Sequence, residues 1–295
     1  MKKVTRMAIL ALAGATLLGG AGAFAQDAPP TLDPSKRQQQ PQQQQPSTDQ
    51  SKPAEVTPLT LDSTPPPVNA EEDAAVKAFR DLPVTDITKK DQAGEDFLQK
   101  YPQSRYRSEI YIWLVRGYVA QGQVDKMEAA GDKEIALNPD DAQTLAIIGS
   151  TLPRAMNSST PNPQQRLEKA EQYCKKSLEL LPTLPKPAEL TDENFMKAKD
   201  QTSAMAYGGL GIIAIRRQKY GEAIPNFEQA IKLDPMPDPV NFYLLGIANQ
   251  KTSHFDDAVA AFNKCAAIPG GLQGTCKTSA DEAKKLGATQ LSAPK

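Results

Sequence analysis

The sequence predicts an all-α array of antiparallel helix pairs, and three observations carry the prediction. Strong helix formers dominate from about residue 69 onward, and no run of alternating β-branched residues lies between hairpin turns. The stretch from Ala204 to Pro235, AMAYGGLGIIAIRRQKYGEAIPNFEQAIKLDP, reads as two amphipathic helices with a turn at Gln218 to Gly221. Tyr207, Leu210, Gly211 and Ala214 share one helical stripe, Ala223, Phe227 and Ala230 share another, and Pro235 ends the second helix. The same order returns 35 residues later in Phe242, Leu245, Gly246, Phe255, Ala258, Phe262 and Cys265. Small residues let two backbones approach while aromatic rings fill the gaps, and such a pair needs neighbours to cover its remaining apolar faces.

The order aromatic, Leu, Gly, then Ala, Phe, Ala and Pro resembles the tetratricopeptide repeat. The resemblance covers about Ala70 to Gly270 and is strongest over residues 204–237 and 239–270, with degenerate copies at about 69–105, 106–140 and 141–182. It implies a right-handed α-solenoid of helix-turn-helix repeats.

Composition bounds the rest. The chain has 295 residues, but its first seventy or so are unsuited to a core, which leaves one helical domain over about 69–288. The formal charge of -1 becomes -4 once Lys2, Lys3 and Arg6 leave with a signal peptide. That balance gives no general affinity for nucleic acid or an anionic membrane, so electrostatic recognition must be local.

The start, MKKVTRMAILALAGATLLGGAGAFAQ, has a basic region, an apolar region and Ala23-Phe24-Ala25 before Gln26. This is the pattern of a signal peptide over residues 1–25, cleaved after Ala25. Met7 to Ala25 is also almost long enough to span a bilayer, so an uncleaved anchor is the alternative membrane contact. The expected location is a bacterial periplasm or cell envelope. Residues 26–68, with RQQQPQQQQPSTDQSKP, hold almost no large apolar residue and are expected to be a disordered Pro/Gln-rich linker, as is a tail at 289–295.

Helices follow in order. Asn69 and Glu72 form a capping pair for a helix with Ala75, Val76, Phe79 and Leu82 on one stripe. A second helix runs from about Thr88 to Lys100; Pro102 stops it and Ser104 is placed to cap the next. The phrase FLQKYPQSRY resembles the first repeat of bacterial envelope tetratricopeptide proteins, including outer-membrane-assembly lipoproteins and periplasmic coordinators of the Tol-Pal system. The unit from Tyr106 to Pro139 departs from the family pattern at Met127, Gly131 and Glu134, where Ala, Phe and Ala are usual, so a looser second helix is expected. The unit from Asp141 carries an insertion between its helices, and Asn157 to Gln165 should project from one edge. Thr191, with Asp192 and Glu193 behind it, caps a helix that continues into the Ala204 repeat, and its extra turns from Asn194 to Ser203 are expected against the Asn157 loop. Asp238-Pro239 opens the last full pair, and Ser279 with Glu282 forms a capping box for a short terminal helix ended by Gly287.

Candidate chemistry is sparse. His254 is the single histidine and sits at a turn beside Ser253 and Asp256, where it reads as solvated; no metal site, catalytic set or cofactor is expected. Gly208-Gly209-x-Gly211 lies inside a helix with no preceding strand, so close packing explains it better than a phosphate loop. Cys174 falls on a core stripe. Cys265 and Cys276 flank a glycine-rich loop and fit either a disulfide or, for Cys265, a small packing residue.

In the family resembled, first helices line a concave groove. Register places Glu109, Ile112, Arg116 and Val119 there in one unit, then Gln143, Ala146, Ser150 and Arg154, then Met205, Gly208, Ile212 and Arg216, then Val240, Tyr243, Ile247 and Lys251. Arg154, Arg216 and Lys251 form a row beside an apolar strip of Met205, Ile212, Tyr243 and Ile247. This surface is expected to bind a peptide segment or partner protein with a carboxylate facing the cations, as a non-enzymatic scaffold or as an accessory or chaperone-like subunit of outer-membrane or secretion assembly. The cations equally suit the helix C-termini on which they lie. The family's carboxylate clamp of Lys and Asn is not matched by register.

Overall fold

The computed structural model describes residues 69–292; the predicted signal peptide and the linker lie outside them, as do the last three residues of the predicted tail. Among the described residues all regular structure is helical. The helices are α1 Ala70–Asp81, α2 Ile87–Lys100, α3 Arg107–Ala120, α4 Val124–Leu137, α5 Ala142–Ala155, α6 Pro163–Leu180, α7 Asp192–Arg216, α8 Tyr220–Leu233, α9 Pro239–Lys251, α10 Phe255–Ala267 and α11 Gln273–Ser292. Consecutive helices pack in pairs, and first helices also meet first helices, α5 against α7 above all. No helix among the described residues is long and apolar enough to cross a membrane.

The two strongest pairs share one construction. A Cβ on Gly211 would meet the Phe227 ring at 2.7 Å, and a Cβ on Gly246 would meet the Phe262 ring at 2.5 Å. Each ring is fully buried on the partner helix, with alanines a turn away on either side. The α3–α4, α7–α8 and α9–α10 turns each hold one residue at positive φ: Gly122 at 68°, Gln218 at 59° and Ser253 at 64°. The left-handed residue of the α7–α8 turn is therefore Gln218, and Gly221 lies inside α8.

Earlier copies reach the same packing by other residues. Gly131 does not loosen α4, which runs unbroken, because Ile148 of α5 enters the space a ring would fill; a Cβ on Gly131 would meet Ile148 Cδ1 at 2.4 Å. Glu134 replaces the usual small residue, and its carboxylate accepts from Ser108 Oγ at 2.8 Å and Asn138 Nδ2 at 2.7 Å. Ser104 does not cap α3. Its hydroxyl donates to Glu72 at 2.6 Å and accepts from the Tyr106 amide, so the Glu72 side chain ties α1 to the α2–α3 turn. Asn69 accepts from the Glu71 and Glu72 amides, as an N-cap should. In the first repeats, buried Lys90 donates to the carbonyls of Leu82 and Arg80, and buried Asp91 accepts from Trp113 at 2.9 Å and from Gln121.

Two expectations about the longer elements are corrected. Thr191 caps α7 as predicted, but the extra turns of α7 meet the Pro-rich connection rather than the Asn157 loop. Lys199 donates to the Pro182 carbonyl, and Lys186 pairs with Asp192. The reason is polarity: α6 runs antiparallel to α7 and delivers Pro182 to that end, while the Asn157 loop leaves the opposite end of α5. That loop lies over Val124, Leu152 and Arg166 around a cavity of about 250 Å³. The C-terminal capping box is also absent. α11 begins at Gln273 and passes through Ser279 and Gly287 to Ser292, because Cys276, Ala280 and Ala283 already seat it on α9 and α10.

Candidate functional site

The predicted inner-face residues lie on α3, α5, α7 and α9, and the structure assigns them different duties. On α3, Arg116 donates to Gln143 of α5 at 2.7 Å, and its Nε is buried without a partner among the described residues. Burial lowers its basicity while the Asp141 carboxylate works against that. Arg116 is therefore packed between repeats.

Arg216 breaks the predicted cation row. Its Nε donates to the Pro153 carbonyl at 2.5 Å and its Nη2 to the Met156 carbonyl at 2.7 Å. The last carbonyls of a helix lack intrahelical donors, and a guanidinium fork can serve two of them together. Burial lowers its basicity as well. The Arg216→Met variant should lose about 2 kcal/mol, since it leaves two part-buried carbonyls unserved, and a thermal melt about 4–8 °C lower checks this.

Arg154, on the last turn of α5, forms an ion pair at 2.5 Å with Asp238, the N-cap of α9. Both side chains are near 40% exposed. Asp238 divides its oxygens: Oδ1 accepts from the Val240 amide at 2.9 Å and Oδ2 takes the arginine. Lys251 is exposed at the end of α9.

The apolar strip is largely used in packing. Ile212 is buried among Ala214, Phe227 and Ala248. Met205 is half-buried against Ala146, Cys174 and Ala206. Tyr243 lies 5.8 Å from the Phe262 ring, and Ile247 packs on the cluster that α11 completes. These residues do lie on first helices, but α11 covers part of α9 through Ala280 and Ala283.

One residue escaped sequence reading. Asn241 is 6% exposed, faces Gly208 of α7, and its Oδ1 accepts no hydrogen bond among the described residues. The sequence signal for it was the mirror position, since Gly208 leaves room for a neighbouring side chain.

Elsewhere, Arg166 and Lys169 of α6 bind Asp125, Glu128 and Asp132 of α4 at the rim of a polar cavity of about 600 Å³, a set of mutually satisfied charges. Cys174 is fully buried, and desolvation pushes its thiol up to about 12, which keeps it protonated. His254 is exposed at the N-cap of α10, with Nδ1 3.0 Å from Thr252 Oγ1. Cys265 and Cys276 form a disulfide with Cα atoms 5.9 Å apart.

Comparison with known proteins bears on this arrangement. Residues 204–235 match the family model of the tetratricopeptide repeat. No curated protein matches the chain. Among solved structures it is similar to TTC0263, a thermophilic tetratricopeptide protein of Thermus thermophilus, at 17% identity over 72% of this chain and 98% of that one, with a TM-score of 0.46. It is also similar to PilW, described as a widely conserved type IV pilus biogenesis factor, at 16% identity over 77% and 96% of the two chains, with a TM-score of 0.48. The family match falls on the α7–α8 pair, and α9–α10 repeats that pair's ring over glycine; the chain carries a tetratricopeptide repeat at α7–α8.

Proposed function

We propose that the chain is a protein-interaction scaffold of a bacterial envelope, which binds a peptide segment or partner protein on the face formed by α3, α5, α7 and α9. The observation that carries this reading is the outward part of that face. Arg154 and Lys251 remain exposed there beside half-buried Met205, Tyr243 and Ile247, a mixture of cation and apolar surface suited to a segment with both acidic and apolar side chains. Arg116, Ile212 and Arg216 position the helices that present it. The envelope location is supported by the signal-like start and by the Cys265–Cys276 disulfide, since disulfides persist in oxidising compartments. A second reading, an accessory or chaperone-like subunit of outer-membrane or secretion assembly, draws on the FLQKYP phrase at the end of α2.

The test is a crosslinking pull-down from the native envelope with the full chain as bait. A chain carrying both Arg154→Glu and Lys251→Glu should lose its partners at least tenfold, with a flatter salt dependence for what remains. Equal recovery at every salt concentration refutes the assignment of this face.

A further inference from the structure

We infer that Asp238 is an internal competitor: its ion pair with Arg154 is a strap from α5 to α9 that an acidic peptide segment displaces in order to bind. The inference rests on the proposed binding face and names the chemistry of its occupant.

α7 packs against α5 on one side and meets α9 on the other. Gly209 faces the α5 backbone, with its Cβ position 2.9 Å from Ser150 Cα, and Gly208 faces Asn241 of α9. Arg154 and Asp238, 84 residues apart, meet nonetheless, so their pair links the end of α5 to the start of α9. Their pair joins two first helices that both contact α7, α5 far more extensively than α9.

An ion pair this exposed is weak and salt-screened, because water solvates both charges well when they part. A strap of that kind shields a face without locking it. An incoming carboxylate recovers with Arg154 what Asp238 gives up, and Asp238 retains its capping bond to the Val240 amide.

Asn241 stands three residues after Asp238 on α9, buried against Gly208, with its Oδ1 unserved among the described residues. Asn241 is sealed between α9 and α7, so the polar group an occupant meets there is the exposed Arg154 guanidinium. The occupant is thus a segment that offers Arg154 a carboxylate, which an acidic peptide does and an apolar helix does not.

The experiment measures binding of a fluorescein-labelled hexaglutamate peptide to the full chain by polarisation, with hexaglutamine as control. Asp238→Asn keeps an N-cap acceptor but turns an amide toward Arg154, so it should tighten hexaglutamate binding about two- to fivefold, at most about 1 kcal/mol at 1.4 kcal/mol per tenfold. Arg154→Gln should lose that gain and most of the binding, and hexaglutamine should bind none of the variants. Thermal melts within a few degrees of the parent show that each variant is folded. Unchanged affinity in Asp238→Asn, or undiminished affinity in Arg154→Gln, overturns the strap. Self-association of Asp238→Asn in sedimentation overturns it too, by making a second copy the occupant. If the charge-reversed chain loses its native partners yet Asp238→Asn binds hexaglutamate as before, the face stands and the strap falls. If neither variant changes anything, the face itself is wrong.

Discussion

Glu134→Gln should stabilise the protein by roughly 2–3 kcal/mol at pH 8 and by almost nothing at pH 4.5. The Glu134 side chain is fully buried between α3 and α4, and desolvation pushes its carboxyl from an ordinary 4.5 up to about 7 against the donors Asn138 and Ser108, while the Asp141 carboxylate pushes the same way as burial. One oxygen holds both donors and the other, Oε2, has none among the described residues. The folded state therefore holds a proton more tightly than the unfolded chain does. Between pH 4.5 and 7 the unfolded chain releases that proton first, so stability falls as pH rises; above 7 both states are ionised and the loss is complete. A displacement of about two and a half pH units at 1.36 kcal/mol each sets an upper limit near 3 kcal/mol. Glutamine keeps an acceptor for Ser108 and Asn138 and cannot ionise, so its denaturation midpoint should lack this slope. Parallel pH profiles for parent and variant would show that the carboxyl titrates alike in the folded and unfolded chain.

Glu134 also shows where sequence reading stops. Repeat register marks it, with Met127 and Gly131, as a departure from the family pattern, and looseness is the expectation there because Gly131 removes the ring and costs helix propensity. Looseness did not follow because two compensations come from other positions. Ile148 fills the space beside Gly131, and Ser108 with Asn138 receives the carboxylate. Compensation between distant residues is a property of packing that a stripe on one helix cannot display. Where the stripes were regular, from Tyr207 to Ala230 and from Phe242 to Cys265, the same reading located both helices, the ring and the glycine it covers.

The binding face divides along a similar line. Register put Arg154, Arg216 and Lys251 on equivalent positions of first helices, but a long cation's partner depends on what ends nearby. Arg216 meets the carbonyls of a proline-ended α5, Arg154 meets an N-cap carboxylate two pairs away in the chain, and Lys251 lies in solvent. Asp238 was legible as a cap because capping is local. Its second oxygen's partner, 84 residues distant, was not.

Replacing Cys265 and Cys276 by alanine should cost about 3 kcal/mol and should first free α11. The loop they close spans 11 residues, so the loss of loop-closure entropy in the unfolded chain gives a stabilisation near that figure. Both cysteines are fully buried in one cluster with Phe242 and Ala266, and half-buried Leu272 and Ile268 pack around it. The bridge therefore secures the start of α11 at the point where the chain turns back after Gly270. The rest of α11 rests on Ala280 and Ala283 against Phe262 and Ala258, small side chains that bury little area each. Hydrogen exchange should show α11 amides losing protection while those of α7 and α8 keep theirs, because the core around Phe227 is built without α11. The same effect should appear in the parent chain on reduction, which links the order of this cap, and with it the cover over Tyr243 and Ile247, to an oxidising compartment. Uniform loss of protection across all the helices would instead show that α11 unfolds only with the whole domain, and the disulfide would then serve global stability alone.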